Sequence, residues 1–596
     1  MPITKAINWI FLLAFTQAAL NAADAASTSI TRGDSAIRVT PKWTVVMVLS
    51  DASILPGDPR ATGGQPANDR AIQSSAIVRE EVVAELATDV PMADWQLIAS
   101  SDGERIAWRE KRAGKWIVLL NGKPQGGEYD EVKWLAFSPD DNRFAWFART
   151  GKSWTAVVDG RQQGGPFREV APIRFSSDSA RFAFHARDND GERFVVDGKP
   201  QTVYQEMKRG TFSPDGRHFA YTARKGKQWV VVVDGTEVAA YDNAGVPRFR
   251  ETGSSPVYTA QRNKTWMLVD GGKEARASEL KNGFYELLGF TPQAEEPVLK
   301  IIDGDNGKLV VGSREGPLES VLQVPILFSD AGDHFVYATA RVKNPAASAE
   351  RAFGQVVLDG RGGREYEAAP VESAGKAWLR AVGGSVLQLQ RGNVEEFIAE
   401  RHGVSSPAVN WDGPHVAYTA RRGKKDFVVV LDGEEGPRMD AIACGPGFSP
   451  DGKLYYAGVD GGNLVLIVNG QKISETALPE SEWTCSGFSF AKNGHFLYAL
   501  ALKDSLRLFV DGVEQKRPPV AVLSGPTIRP DCEQFHYAFI VNADLKKPEY
   551  RVLLDGQDGK IYNDVWPDTV RWTAQGALTY IARNGQKLLR VTQSLP

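Results

Sequence analysis

Hydrophobic and polar positions along this chain follow a two-residue alternation that restarts about every 38 residues. In FSPDGRHFAYTARKGKQWVVVVDG (Phe212 to Gly235), large apolar residues alternate with small or polar ones through HFAYTAR, and a β-branched run follows Trp229. Alternation of period two marks a strand with two different faces, and the β-branched run fits a strand covered on both. Chain reversals bound these strands. Pro-Asp-Gly combines a fixed φ with a residue that accepts φ > 0, RKGK turns the chain again, and Asp-Gly after the second strand is a type I′ hairpin signal. Near-copies stand at FSPDDNRFAWFARTGKSWTAVVDG (Phe137 to Gly160) and NWDGPHVAYTARRGKKDFVVVLDG (Asn410 to Gly433).

The closing Asp/Asn-Gly pair recurs at Asn121, Asp159, Asp197, Asp234, Asp270, Asp359, Asp432, Asn469, Asp511 and Asp555. Two steps are double: one contains Asp303-Gly304 and an insertion after Arg341, the other a degenerate unit around Val386 to Phe397. A short fourth segment follows each turn, as in GEYDEV (Gly127 to Val132), TVYQEM (Thr202 to Met207) and KIYNDV (Lys560 to Val565). Each unit is therefore four short antiparallel strands, a sheet that cannot bury both faces alone. Radial stacking of like sheets covers them, which predicts a β-propeller. Helical repeats are excluded because no unit carries a 3.6-residue apolar period.

FSPDGRHFAYTA (Phe212 to Ala223) and GFSPDGKLYYAG (Gly447 to Gly458) resemble the WD40-like repeat of TolB-type proteins and of the propeller domains of prolyl-oligopeptidase-like peptidases. The resemblance covers Trp95 to the C-terminus; it implies blades and is silent about activity. FRETGSSPVYTA (Phe249 to Ala260) and the stretch Pro370 to Gly403 depart from it by lacking the Pro-Asp-Gly turn. Twelve units from Trp95 to Val565, a shortened thirteenth at Trp572 to Gln593, and PKWTVVMVLSD (Pro41 to Asp51), which looks like a buried blade strand, make fourteen elements. The expectation is an all-β chain of two tandem β-propellers, each of about seven four-stranded antiparallel blades, at residues 95–321 and 322–596. Residues 26–94 form an N-terminal segment with a blade-completing strand. Within it, Asp69 to Leu86 reads as a short helix or a strand pair.

Bulk chemistry narrows the function. A formal net charge of −3 over 596 residues offers no electrostatic case for nucleic acid. Residues 1–25 read as a secretory signal: Lys5, the apolar stretch Ala6 to Leu20, and the small-x-small site Ala23-Asp24-Ala25. That apolar stretch is shorter than the ~20 residues a membrane helix needs. The expected location is periplasmic or secreted, without stable membrane insertion once the signal is removed. Three cysteines are too few for a disulfide scaffold. Cys444 and Cys485 precede equivalent Gly-Phe positions in successive units, which leaves two readings open: two buried thiols, or one disulfide.

No G-x-S-x-G elbow, Walker loop or dinucleotide fingerprint is present. His218, His334, His415 and His495 fall once per unit, so they cannot converge on a metal; His185 and His536 read as strand residues, and His402 lies in a degenerate unit. DGDNGK (Asp303 to Lys308) and DNDGE (Asp188 to Glu192) lack the order of a calcium loop. No catalytic residue, metal site or cofactor is therefore assigned. What recurs is a basic turn between the second and third strands, with Arg149, Lys152, Arg224, Lys225, Lys227, Arg421, Arg422, Lys424 and Lys425 on one rim. They read as an electropositive surface for an anionic partner, or as charges neutralised locally by acidic links such as EYDEV. The expected function is an exported, non-enzymatic scaffold that binds a protein or a cell-envelope polymer. The alternative is a lyase or glycosidase with its site at a channel mouth.

Overall fold

In a computed structural model, Thr211–Phe212, Phe219–Lys225, Gln228–Val233 and Thr236–Tyr241 pair antiparallel in chain order, and this unit repeats. The structure describes residues 77–86, 96–280 and 283–304, most of 306–367 and most of 404–594. Twelve sheets are formed among them. In chain order, blades 1 to 6 span 97–129, 131–167, 169–200, 206–241, 243–279 and 283–315. Blades 7 to 12 span 321–367, 408–435, 441–477, 483–515, 521–558 and 564–594. The described residues form a nearly all-β propeller of WD40-like blades, with one 3-10 turn at Pro567–Thr569.

The first strand of each blade is the inner one, and the fourth lies at the exposed periphery. Lys123–Tyr129, Thr236–Tyr241 and Gln471–Ala477 expose most of their side chains, whereas the second and third strands are buried on both faces. That burial explains the β-branched runs. Val230, Val231 and Val232 face two neighbours at once: Val230 and Val232 join blade 3, and Val231 joins blade 5.

Apolar clusters join every blade to the next. Phe147 and Phe184 link blades 2 and 3, Tyr258 and Val231 link 5 and 4, and Val311 and Tyr337 link 6 and 7. The last cluster runs from blade 12 to blade 1, with Trp566, Ile581 and Leu588 against Ile106, Trp108 and Leu119. The described blades thus form one cyclic series of twelve. The boundary expected near residues 321–324 falls between blades 6 and 7, which share an apolar cluster. The degenerate unit around Val386 to Phe397 lies outside the described residues. Blades 7 and 8, on either side of it, pack directly on one another through Val336, Val356, Val416 and Tyr418.

Closure uses the chain's two ends. Ile77–Glu85 pairs with Lys587–Ser594 as the peripheral strand of blade 12, in register from Ile77↔Ser594 to Glu85↔Lys587. The Tyr562 hydroxyl donates to Glu80 at 2.8 Å, and Arg590 pairs with Glu81 at 3.0 Å. The described part of the segment that reads as a helix or a strand pair, Ile77–Glu85, is one strand, because its partner lies some 500 residues away in sequence; residues 69–76 lie outside the described residues. Pro41 to Asp51, the other candidate for a blade strand, lies outside the described residues.

Turns are held by one repeated device. Ser213 Oγ accepts the His218 N–H at 2.9 Å and donates to Asp215 at 2.5 Å, fixing the Pro-Asp-Gly reversal. Asp234 accepts the Phe219 N–H on Oδ1 at 2.9 Å and faces His218 Nδ1 through Oδ2 at 2.6 Å. The same pair forms at His334–Asp359, His415–Asp432 and His495–Asp511. It also forms at His536–Asp555, so His536 precedes its strand, Tyr537–Asp544, rather than lying inside it. Arginine replaces histidine at Arg143–Asp159 and Arg181–Asp197.

Asn121 and Asn469 occupy the Asp234 position and accept the equivalent N–H from Ile106 and Leu454. Asp234→Asn is therefore expected to cost less than ~1 kcal/mol. Asp234→Ala is expected to cost about 1–3 kcal/mol, because the Phe219 N–H loses its acceptor and Ala is disfavoured at a φ of 49°. Urea melts of the two variants check this; equal losses would refute the acceptor role.

Candidate binding surface on the inner strands

Most of the basic turn residues are paired. Arg149 bonds Glu131 at 2.9 Å, Lys225 bonds Glu237 at 2.9 Å, and Arg422 bonds Glu435 at 3.1 Å. Arg224 lies 3.6 Å from Glu206 and donates to the Gly226 carbonyl, while Arg421 donates to the Glu367 carbonyl. Lys152, Lys227 and Lys425 are exposed, and Lys424 lies outside the described residues. The eight described residues sit on blades 2, 4 and 8, which are not neighbours, so they form no single patch. Aspartates in the links act as turn caps: Asp130 accepts the Gly151 N–H at 2.6 Å, and Asp440 accepts the Gly461 N–H at 2.9 Å.

Pairing at the rim has a consequence deeper in. Glu131, Glu169 and Glu206 stand at the rim end of the inner strands of blades 2, 3 and 4, where they engage Arg149, Arg187 and Arg224. The inner segments that follow them are 132–137, 170–175, 207–212 and, in blade 5, 244–249. They hold Lys133, Arg174, Lys208, Arg209 and Arg248, and no acidic residue. The corresponding segments of blades 7 to 11, residues 322–328, 404–409, 442–448, 485–490 and 522–528, hold no charged residue in the sequence. Blade 6 carries Glu286 on its inner strand, where its charge favours the cationic form of Arg248.

These cations are tied to the blades. Lys208 Nζ donates to the Ala244 carbonyl at 2.6 Å and to Asn243 at 3.2 Å, and lies 4.4 Å from the Trp229 ring centre. Arg248 Nε donates to the Leu287 carbonyl at 2.9 Å. Burial pushes both below their ordinary pKa; for Arg248, repulsion from Arg209 adds to it. Lys133 shares Glu131 with Arg149 and lies 4.8 Å from the Trp154 ring centre. Arg209 is exposed.

Beside Lys133, Trp134 is half-buried with a φ of 53°, at a bulge where the pairing between Glu131–Phe137 and Phe144–Thr150 shifts. A left-handed backbone is rare for so bulky a residue, and bulges re-aim side chains. Trp134 packs edge-on to Phe147 at 5.8 Å and joins the apolar cluster that contains Ile173, next to Arg174. None of these inner residues stands out when the turns are compared. Their signal in the sequence is a cation shortly before the first turn in four successive units, as in VKWLAFSPD, PIRFSSD, KRGTFSPD and VPRFRE.

Cys444 is buried between blades 9 and 10 and is disulfide-bonded. Among the described residues, no group of three or more His, Cys, Asp or Glu side chains is arranged to hold a metal ion. No described helix is long and apolar enough to cross a membrane.

No protein-family model matches the chain, and no curated protein sequence matches it. Solved structures that match include the β-propeller domain of the Trilobed protease from Pyrococcus furiosus, at 11% identity over 65% of this chain and 97% of that chain, with a TM-score of 0.19. Puromycin hydrolase matches at 13% identity over 63% of this chain and 58% of that chain, with a TM-score of 0.24. The Cps50 (Swd1) β-propeller domain of Myceliophteria thermophila matches at 10% identity over 50% and 95%, with a TM-score of 0.18. Likenesses this remote carry nothing about activity. The assignment as a propeller rests on the sheets and clusters above.

Proposed function

We propose that the chain is an exported, non-enzymatic β-propeller that serves as a binding scaffold for a protein or a cell-envelope polymer. The observation that carries this reading is where the chemistry-bearing side chains are placed. Five of the seven histidines are each held by a turn aspartate, at the same place in five different blades. Groups dispersed at one place per blade stiffen a frame and leave recognition to its surfaces. Export is supported by the signal-like residues 1–25 and by the disulfide at Cys444, since such bonds persist in oxidising compartments. Pairing of Cys444 with Cys485, which lies on an inner strand of the neighbouring blade 10, is part of the proposal.

The test is fractionation of the native host, followed by crosslinking capture with the exported chain. A stoichiometric partner from the envelope supports the reading. Recovery of the chain only in the cytoplasm with all thiols free would refute export. Turnover of a glycan by the pure chain, abolished by a single carboxylate substitution, would replace the scaffold with the enzyme alternative.

A further inference from the structure

We infer that the outer edge of the propeller, from blade 12 through blades 1, 2 and 3, binds a linear anionic polysaccharide along a row of unpaired cations. This rests on the scaffold reading above and names its partner chemistry. The row follows from register. Just beyond the closing turn, the third strand pairs with a cation of the fourth: Leu120↔Lys123, Val158↔Arg161 and Val196↔Lys199 in blades 1 to 3. In blade 12 Thr592 faces Thr579 as Leu120 faces Ala107, and its partner on the other side is Arg79. The strand from the chain's start thus supplies the equivalent cation. Lys273, Arg314 and Arg361 stand at this place in blades 5 to 7. Blade 4 has Thr236, and blades 8 to 11 have Glu434, Gln471, Val513 and Gln557.

Unlike most of the basic turn residues, these cations are unpaired. Arg79, Lys123, Arg161, Lys199, Lys273 and Arg361 are exposed and make no ion pair or side-chain hydrogen bond among the described residues. Only Arg314 is held, by Glu296 and Asp359. The acids beside them are taken. Asp159, Asp197, Asp270 and Asp359 engage Arg143, Arg181, Arg250 and His334, and Glu81 engages Arg590. Glu85 and Glu128 lie toward the far, rim ends of their strands. Lysine can also guard a sheet edge against pairing, but that does not account for the row. Gln471–Ala477 is as long as the outer strands of blades 1 and 2, at 7 residues, and begins with an uncharged one.

Placement selects the partner. Neighbouring cations stand on blades in contact, since Gly198, just before Lys199, packs against Gln163, two residues after Arg161. Packed sheets lie on the order of 10 Å apart, so the arc from blade 12 to blade 7 runs roughly 70 Å. One folded partner covers only about 800 Å², whereas a polymer can follow the whole edge. A flat anionic membrane would also meet Asp102, Asp140, Asp178 and Asp215 in the first turns on the same face. An acidic peptide would gain no strand pairing: Pro124 and Pro200 offer no N–H, and the outer ladders of blades 1 and 2 shift register. A polysaccharide needs no such edge. Its carboxylates meet the cations, and its hydroxyls can take the exposed Gln162 amide between them.

The experiment uses the full exported chain with polygalacturonate as probe. Dextran, poly-glutamate and phosphatidylglycerol vesicles are the comparisons, in native affinity gels and calorimetry. Polygalacturonate is expected to bind, more weakly as salt rises, and dextran not to bind. Lys123→Glu with Arg161→Glu and Lys199→Glu is expected to weaken binding more than tenfold. Lys123→Arg with Arg161→Lys and Lys199→Arg is expected to preserve it, and unchanged melting temperatures separate the loss from unfolding. Arg79→Glu is expected to weaken binding several-fold, while Lys152→Glu with Lys227→Glu at the basic turns changes nothing. Absence of polygalacturonate binding at low salt, or an equal loss from the basic turns, overturns the row. Poly-glutamate or vesicles bound as tightly through the same residues assign the edge to an acidic protein or a membrane and overturn the polysaccharide. A captured protein partner together with no polyanion binding leaves the scaffold standing and removes only the row.

Discussion

A chain lacking residues 77–86 is expected to lose the cooperative melting of the closed ring and to self-associate. Ile77–Glu85 is the peripheral strand of blade 12, paired with Lys587–Ser594 along its length. Leu86, just beyond it, is buried with Trp108, Trp566 and Leu588 at the seam between blades 12 and 1. Backbone pairing contributes about 0.5–1.5 kcal/mol per bond, and the buried leucine about 2–5 kcal/mol. The loss is concentrated at one seam.

Deletion also bares the edge KLLRVTQS, an unpaired strand with alternating apolar residues, which is a template for pairing with another chain. Light scattering and calorimetry should show a lower melting temperature and dimers or larger species. A synthetic peptide of residues 77–86 added in trans is expected to restore the monomer. A deleted chain that melts at the parent temperature and stays monomeric would show that the ends do not close the ring.

Trp108→Ala is expected to be the most costly single substitution at that seam, at about 3–5 kcal/mol. Trp146 occupies the same place one blade later and is equally buried, so Trp146→Ala is expected to cost about as much. Coupling tells the two apart. Trp108 shares a cluster with Leu86, whereas Trp146 lies between blades 1 and 2. Combining Trp108→Ala with Leu86→Ala is expected to depart from additivity by about 0.5–3 kcal/mol, and Trp146→Ala with Leu86→Ala to be additive within about 0.5 kcal/mol. Urea denaturation of the two double-mutant cycles decides it. Equal coupling in both would mean that the seam is not a distinct interface.

Local chemistry accounts for most of what could be read in advance. The Ser-Pro-Asp-Gly reversals, the Asp-Gly hairpins and the β-branched third strands are instructions within 38 residues, and each folds as written. Even the repeated histidine has a local purpose, since its aspartate lies 16 residues ahead in His218–Asp234. The basic turns were legible as a repeat; the acids they meet come from the fourth strand, as Glu237 and Glu435, as well as from the links. Arg149–Glu131 and Lys225–Glu237 are contacts within one blade, set by the hairpin register. The inner cations were harder to see. Nothing local distinguishes Arg174 or Arg248 from any strand arginine, and they acquire meaning only when four inner strands stand side by side.

The sequence by itself determined the blade: its four strands, its turns, and the apolar faces that demand a neighbour on each side. Tertiary structure decided which neighbour. It joined the first described strand to the last across some 500 residues and packed blade 7 directly on blade 8. The physical reason is that period and turn chemistry are short-range and repeat identically, so every blade carries the same instructions. Closure and the inner wall depend on contacts between copies, which no single copy encodes.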